Sequence, residues 1–227
     1  MRQGSQEMRW FFKTELTSEV VNQFYAPLEG LEGTVTQEEW PQEWRYDDYL
    51  VMPDSDAMGI KLRDEPLNDG SRRKQLQFKG LLSSLGSMVF ARGHCGVMEQ
   101  WVKWSFKDEN VTERWSGLLE QPGSDLVRVE KKRLLRKIRL DAMDRDEEVP
   151  LKGKAAFVDR GFQIELTKLR IRGENYWTLC FEAFPLDNEI HEDFMRNAGL
   201  FLNAFSDSYS LNLKNSQSYP TFLRRFV

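Results

Sequence analysis

Positive charge is concentrated in one stretch of this chain. RVEKKRLLRKIRLD, residues 128–141, carries seven Lys or Arg between Arg128 and Arg139, in a protein with 36 Asp+Glu against 32 Lys+Arg. As a basic helix it would point to nucleic acid or a membrane surface. As a strand it would set a row of cations against an anion inside a sheet. A similar alternation recurs along the chain: Lys13 with Glu15, Lys61 with Arg63, Gln77 with Lys79, Lys131 with Arg133, and single acids at Glu165 and Glu182. Residues two apart on a strand share a face. Lys and Arg brought together from several strands suit a chain of phosphates, Arg as a fork and Lys as a compact point charge. Carboxylates beside them suit Mg2+ or Mn2+, which takes one or two acids and completes its shell with phosphate oxygens.

The elements that would position these groups are mostly strands. MRWFFKTELT (8–17) is dense in aromatics and reads as a strand, with Arg9, Phe11, Lys13 and Glu15 on one face. TSEVVNQFY (17–25) reads as a short helix capped by Thr17 or Ser18. Residues 26–43 read as a loop. Further strands are expected over 43–53, 59–64, 74–80, 96–106, 162–171 and 176–185, with turn chemistry at 53–59 and a hairpin turn at RGEN. Residues 81–95 are rich in Gly and Ser and give no clear period. In the basic stretch, Val127, Leu134, Leu135 and Ile138 fall near a helical stripe, while Lys131 and Arg133 share a strand face. Neither period is clean, and strand is preferred because its neighbours are strands. An acidic turn follows at 141–150. Apolar residues at 190, 194, 198, 201, 202 and 205 mark an amphipathic helix over 187–205. The expected fold is α+β, mostly β: a closed or nearly closed antiparallel barrel with a few flanking helices. It forms one domain over 1–227, with a core at about 8–205 and a C-terminal extension at 206–227.

Composition narrows the function classes. Apolar residues make up 40% and charged residues 30%, as in an ordinary globular protein. No apolar segment approaches the ~20 residues of a membrane span, and the N-terminal residues carry no apolar secretory core. The net charge of −4 argues against nucleic acid. Two cysteines, Cys95 and Cys180, suggest a reducing compartment, hence a cytoplasmic expectation, although one bridge between them stays open. Cys180 reads as a core thiol and His191 as a surface residue of the late helix. His94-Cys95 lacks a second ligand pair for zinc.

The face on which the charges lie decides the function. An antiparallel sheet ordinarily wets its polar face, which would leave these residues in solvent. If the sheet closes with the charges inward, cations crowd a lumen and need a polyanion to relieve them. A third arrangement puts the apolar faces inward, as in a lipocalin-like barrel holding an apolar ligand.

The order of these strands resembles the CYTH superfamily, the triphosphate tunnel fold of class IV adenylyl cyclases, thiamine triphosphatases and inorganic triphosphatases. YDDYLVMPDSDAMGIKLRD is similar to the family's aspartate-containing strand and turn before an L-R-x-R strand, LQFKG to its lysine-ended strand, and VEKKR to its K-x-R strand. GFQIELTKLRIRGENYWTLCFEAF is similar to its paired acidic strands. The resemblance implies a barrel with a triphosphate or other polyanion on its axis. Lys13, Lys61, Arg63, Lys79, Lys131 and Arg133 would bind phosphate, and Glu165 and Glu182, with Glu15 as a candidate third, would hold Mg2+ or Mn2+. Aligned on Lys13, the family's E-x-E-x-K pattern meets Arg9 and Phe11 where two glutamates belong, and Cys180 replaces another acid. Losing those acids favours anion binding over metal-dependent hydrolysis. The alternative is a catalytically inactive barrel binding an organic ligand or a protein partner.

Overall fold

The computed structural model describes residues 2–33, 35, 37–67, 69–119, 125–141, 146–153, 156–205 and 209–227. In chain order these form β1 (Arg2–Phe12), α1 (Ser18–Phe24), β2 (Glu32–Gly33), β3 (Arg45–Leu50), β4 (Met58–Pro66), β5 (Arg72–Val89) and β6 (Cys95–Phe106). Then come α2 (Glu109–Leu119), β7 (Leu126–Arg139), β8 (Glu147–Glu148), β9 (Gly161–Ile171), β10 (Glu174–Phe184), α3 (Ile190–Ala204) and α4 (Tyr219–Leu223). Eight strands close into an antiparallel barrel in the order β7-β3-β4-β5-β6-β1-β10-β9, and the β7–β9 pairing joins the two ends. The short β2 and β8 pair with each other in parallel and hang from β7. Of the acidic turn expected at 141–150, residues 142–145 lie outside the described residues. No helix among the described residues is long and apolar enough to cross a membrane.

Local chemistry explains several boundaries. The Thr17 hydroxyl accepts from Val20 N at 3.4 Å and caps α1. The β9–β10 hairpin turns through Arg172 and Gly173, both at positive φ (49° and 80°), as a two-residue turn of matching twist requires. Two strands are longer than expected. β1 starts at Arg2 rather than at residue 8, and it ends at Phe12. β5 continues through the Gly/Ser-rich stretch to Val89, where β6 supplies its ladder despite two register shifts. α2 has no counterpart in the sequence reading.

The apolar core lies outside the barrel wall. Met8, Trp10 and Phe12 of β1, Phe162, Ile164 and Leu166 of β9, and Trp177, Leu179 and Phe181 of β10 point outward and are buried beneath helices. The amphipathic α3 covers them with Phe194, Ala198, Phe201 and Leu202. Phe162 meets Phe194 edge-on at 5.5 Å, and Phe181 meets Phe201 at the same distance. Each such side chain contributes roughly 1.5–3 kcal/mol on burial. This cover lets the polar face of the sheet turn inward. The lipocalin-like arrangement is therefore corrected: strand parity puts charges, not apolar groups, toward the lumen's centre.

One end of the lumen is plugged. Phe11, Tyr49, Val127, Val129, Leu169, Ile171 and Tyr176 form a second apolar cluster with Phe222, Leu223 and Phe226 of the C-terminal segment. That segment reaches the plug by mending the wall. The β1–β6 ladder stops at Met8↔Met98, and residues 215–217 then take over β1: Phe11 N donates to Asn215 O at 2.9 Å, and Gln217 N to Arg9 O at 3.0 Å. Phe222 stacks on Phe11 with ring centres 3.9 Å apart. Phe222→Ala is expected to cost about 3–5 kcal/mol, read as a lower urea midpoint; a loss under ~1 kcal/mol would mean that the plug contributes little to stability.

Candidate functional site

Above the plug the barrel encloses a cavity of about 180 Å3. Eight of its described lining residues are Lys or Arg: Arg9 on β1, Arg45 on β3, Lys61 and Arg63 on β4, Lys79 on β5, Lys103 on β6, and Lys131 and Arg133 on β7. Four are glutamates: Glu7, Glu99, Glu165 and Glu182. Side-chain exposure grades from 3% at Lys131, beside the plug, to 31% at Lys79 and 33% at Arg133. The C-terminal segment packs against the cavity at Lys131, and the lumen cations Lys79 and Arg133 are the more accessible.

A single carboxylate organises the deep end. Asp47 is fully buried, with Lys61 Nζ at 2.8 Å, Lys131 Nζ at 3.0 Å, Arg45 Nε at 3.3 Å and Arg63 Nε at 3.3 Å. Burial alone would push this carboxyl up; Arg45, Lys61, Lys131 and Arg63 overcome that and hold it well below the usual range. Four cations on one acid leave positive charge uncompensated. Burial pushes Lys61 well down, with Asp47 opposing and Arg63 and Lys131 adding to the fall. Lys131 comes down to about 7, through burial first and then Arg45 and Arg9 against the pull of Asp47. Its ammonium donates to the Tyr49 hydroxyl at 2.8 Å.

The remaining acids divide into engaged and crowded groups. Glu165 accepts from Arg9 at 2.9 Å, Arg133 at 3.1 Å and Thr167 at 3.1 Å. Burial opposes its charge, but Arg9 and Arg133 hold it well below the usual range. Glu7 accepts from Lys79 and, at 2.8 Å, from Ser5. Glu7 also lies in register between Glu99 and Glu182. Burial and then the charge of Glu7 raise Glu99, although the Trp101 indole donates to it at 3.0 Å. Among the described residues, no group of three or more His, Cys, Asp or Glu is placed to hold a metal ion. Of the two acids expected to hold Mg2+ or Mn2+, Glu165 is engaged by Arg9 and Arg133, and Glu182 lies in register with Glu7.

Lys61, Arg63, Lys79, Lys131, Arg133, Glu165 and Glu182 all meet at this cavity. Two expected residues do not. Lys13 follows the end of β1, is largely exposed and pairs with Glu174 at 2.9 Å. Glu15 is exposed beyond the same strand end. Both were placed by extending β1's alternation past Phe12, where the chain leaves the sheet. The basic stretch splits by parity. Lys131 and Arg133 face inward, while Arg128 forks onto Asp48 at 2.7 and 2.9 Å and Arg136 forks onto Glu148 at 2.8 and 2.6 Å. The sequence reading missed Glu7, Arg45, Asp47 and Tyr219 as site residues. Asp47 was legible in the alternation of WRYDDYL, which places Arg45, Asp47 and Tyr49 on one face. Tyr219 was not, because it arrives from a distant tail. The two cysteines are free, so the bridge left open does not form.

Removing the shared counter-ion tests this arrangement. Asp47→Asn should lower stability by about 3–5 kcal/mol in urea unfolding, because it strands buried cations, and added tripolyphosphate should recover part of the loss. A change below ~1 kcal/mol would mean that those cations do not depend on Asp47.

No family model and no curated protein matches the chain. Solved structures do. The chain is similar to the PH1819 protein from Pyrococcus horikoshii OT3, at TM-score 0.50 and 12% identity over 98% of this chain and 99% of that one. A conserved hypothetical protein from Pyrococcus furiosus aligns at TM-score 0.43 and 13% identity over 95% of this chain and 98% of that one. At such identity the first likeness shows a shared fold and nothing more.

Proposed function

We propose that the lumen binds a short polyanion of the phosphate type, such as a triphosphate, without needing a preformed metal centre. The observation that carries this is the convergence of eight Lys and Arg from six strands on one cavity with fewer acids. Uncompensated cations in a partly desolvated site favour a multiply charged anion. The cavity of about 180 Å3 has room for on the order of fifteen water-sized positions at roughly 10–15 Å3 each, the scale of a short phosphate chain. A neutral organic ligand would leave the cations unrelieved.

The resemblance to the CYTH superfamily supports the same reading once its N-terminal pattern is set on the lumen-facing register. E-x-E-x-K then falls on Ser5, Glu7 and Arg9 rather than on Arg9, Phe11 and Lys13. One of the two acids is retained and the basic position is arginine. A second reading, metal-assisted hydrolysis of the bound anion, draws on the in-register row Glu99–Glu7–Glu182.

Two measurements test these readings. Inorganic tripolyphosphate should raise the melting temperature in EDTA, by about 2.7 kcal/mol of stabilisation at a hundredfold excess over Kd, and Lys131→Ala combined with Arg133→Ala should abolish the rise. No shift with any polyphosphate would contradict binding, whereas phosphate release with Mn2+ that is lost in Glu182→Ala would favour the second reading. Binding should also depend on pH. Lys131, facing Asp47, Tyr49, Arg45, Arg9, Glu165 and Tyr219, sits at about 7, and an anion favours its charged form. Affinity should therefore be highest below pH 7 and fall above it with a limiting slope of about one decade per pH unit for that proton. Lys131→Arg, which stays charged, should flatten the profile by about one decade per unit; an unchanged profile would count against Lys131 as an anion contact.

A further inference from the structure

Tyr219 lines the cavity beside the plug, and its buried hydroxyl has no hydrogen-bond partner among the described residues. The ring itself is held firmly. It stacks with Tyr49 at 5.4 Å and meets Phe11 edge-on at 5.1 Å. Lys131 Nζ sits 3.7 Å from its centre, and the Arg9 guanidinium carbon 4.8 Å away. Those contacts hold the ring in place. A buried hydroxyl without an acceptor is destabilising, so its presence in an otherwise packed cluster calls for a physical reason.

A second donor in the same cavity is also poorly served. Arg45 Nε lies 3.3 Å from Asp47 Oδ1 but makes no aligned hydrogen bond. Two under-served donors on residues lining one cavity suit an acceptor-rich group. The nearby carboxylates of Asp47 and Glu165 are already committed to lumen cations. Burial pushes the Tyr219 phenol up, so it keeps its proton at neutral pH. The plug packs behind Tyr219, and the more accessible lumen cations are Arg133 and Lys79. A chain-like anion entering past those cations reaches Tyr219 with its leading end.

We infer that Tyr219 donates its hydroxyl to the terminal oxyanion group of a phosphate chain bound end-on, which makes the C-terminal segment part of the binding site. The inference rests on the polyanion reading above. Its test is isothermal titration of the full chain and of Tyr219→Phe with inorganic tripolyphosphate, with a melting curve of each without ligand. The Phe variant keeps the ring and its cation contacts. It should bind about tenfold or more weakly, as expected for losing a hydrogen bond to a charged acceptor. Its ligand-free melting temperature should be unchanged or higher, because an orphaned hydroxyl has been removed. Equal affinity in a binding wild type overturns the inference while leaving the polyanion reading intact. A lower ligand-free melting temperature also overturns it, because the hydroxyl then serves the fold. A wild type that binds no tripolyphosphate removes the reading beneath and the inference with it.

Discussion

One buried carboxylate organises the inner face of this barrel. Asp47 is surrounded by Arg45, Lys61, Arg63 and Lys131, drawn from three strands. Like charges at these separations repel strongly when partly desolvated. Without an anion among them, the inward face of β3, β4 and β7 would favour opening toward water. Asp47 works only because period-two alternation brings its neighbours to the same level of the lumen, with Tyr49 pairing Lys61 and Asp47 pairing Arg63 across the β3–β4 ladder. The outer layer supplies the other half of the balance. Helices and tail bury the aromatic faces of β1, β9 and β10, and this apolar cover stabilises a wall whose other face is ionic.

The lumen is thus a self-neutralising ion-pair network with more cations than acids. Glu165 ties Arg9 to Arg133, and Glu7 ties Lys79. Such internal pairs contribute little net stability because desolvation offsets their attraction. Their consequence is preorganisation: the cationic side chains are already ordered and partly stripped of water, so the polyanion we propose would meet charges whose ordering cost has been met by the fold.

The C-terminal segment ties these layers together. It repairs the gap where β1 leaves β6, fills the end of the barrel with Phe222 and Phe226, and sets Tyr219 between two lumen cations. An element that looks like an appendage in the chain therefore packs against the cavity and lines it.

Much was legible in the chain before folding. Alternation in VEKKR, KLR and QLQFK fixed which charges share a face, because a strand has period two whatever surrounds it. α3 was equally plain, since its apolar stripe repeats at helical spacing. The start of β1 was hidden because Gly4 is a weak strand former, so Glu7 went unread as a lumen residue while the alternation was carried past Phe12 to Lys13. Over 128–141 the period alone did not separate helix from strand; strand was preferred from its neighbours, and pairing with β3 and β9 bears that out. Which face of the sheet is inside depends on closure of β7 onto β9 and on what covers the outer wall, and both are contacts between residues far apart in sequence. Sequence by itself determined which side chains travel together. Only the tertiary structure decided that they meet at one cavity, that Asp47 binds them there, and that Tyr219 lines it, because a local period carries no information about partners more than a strand away.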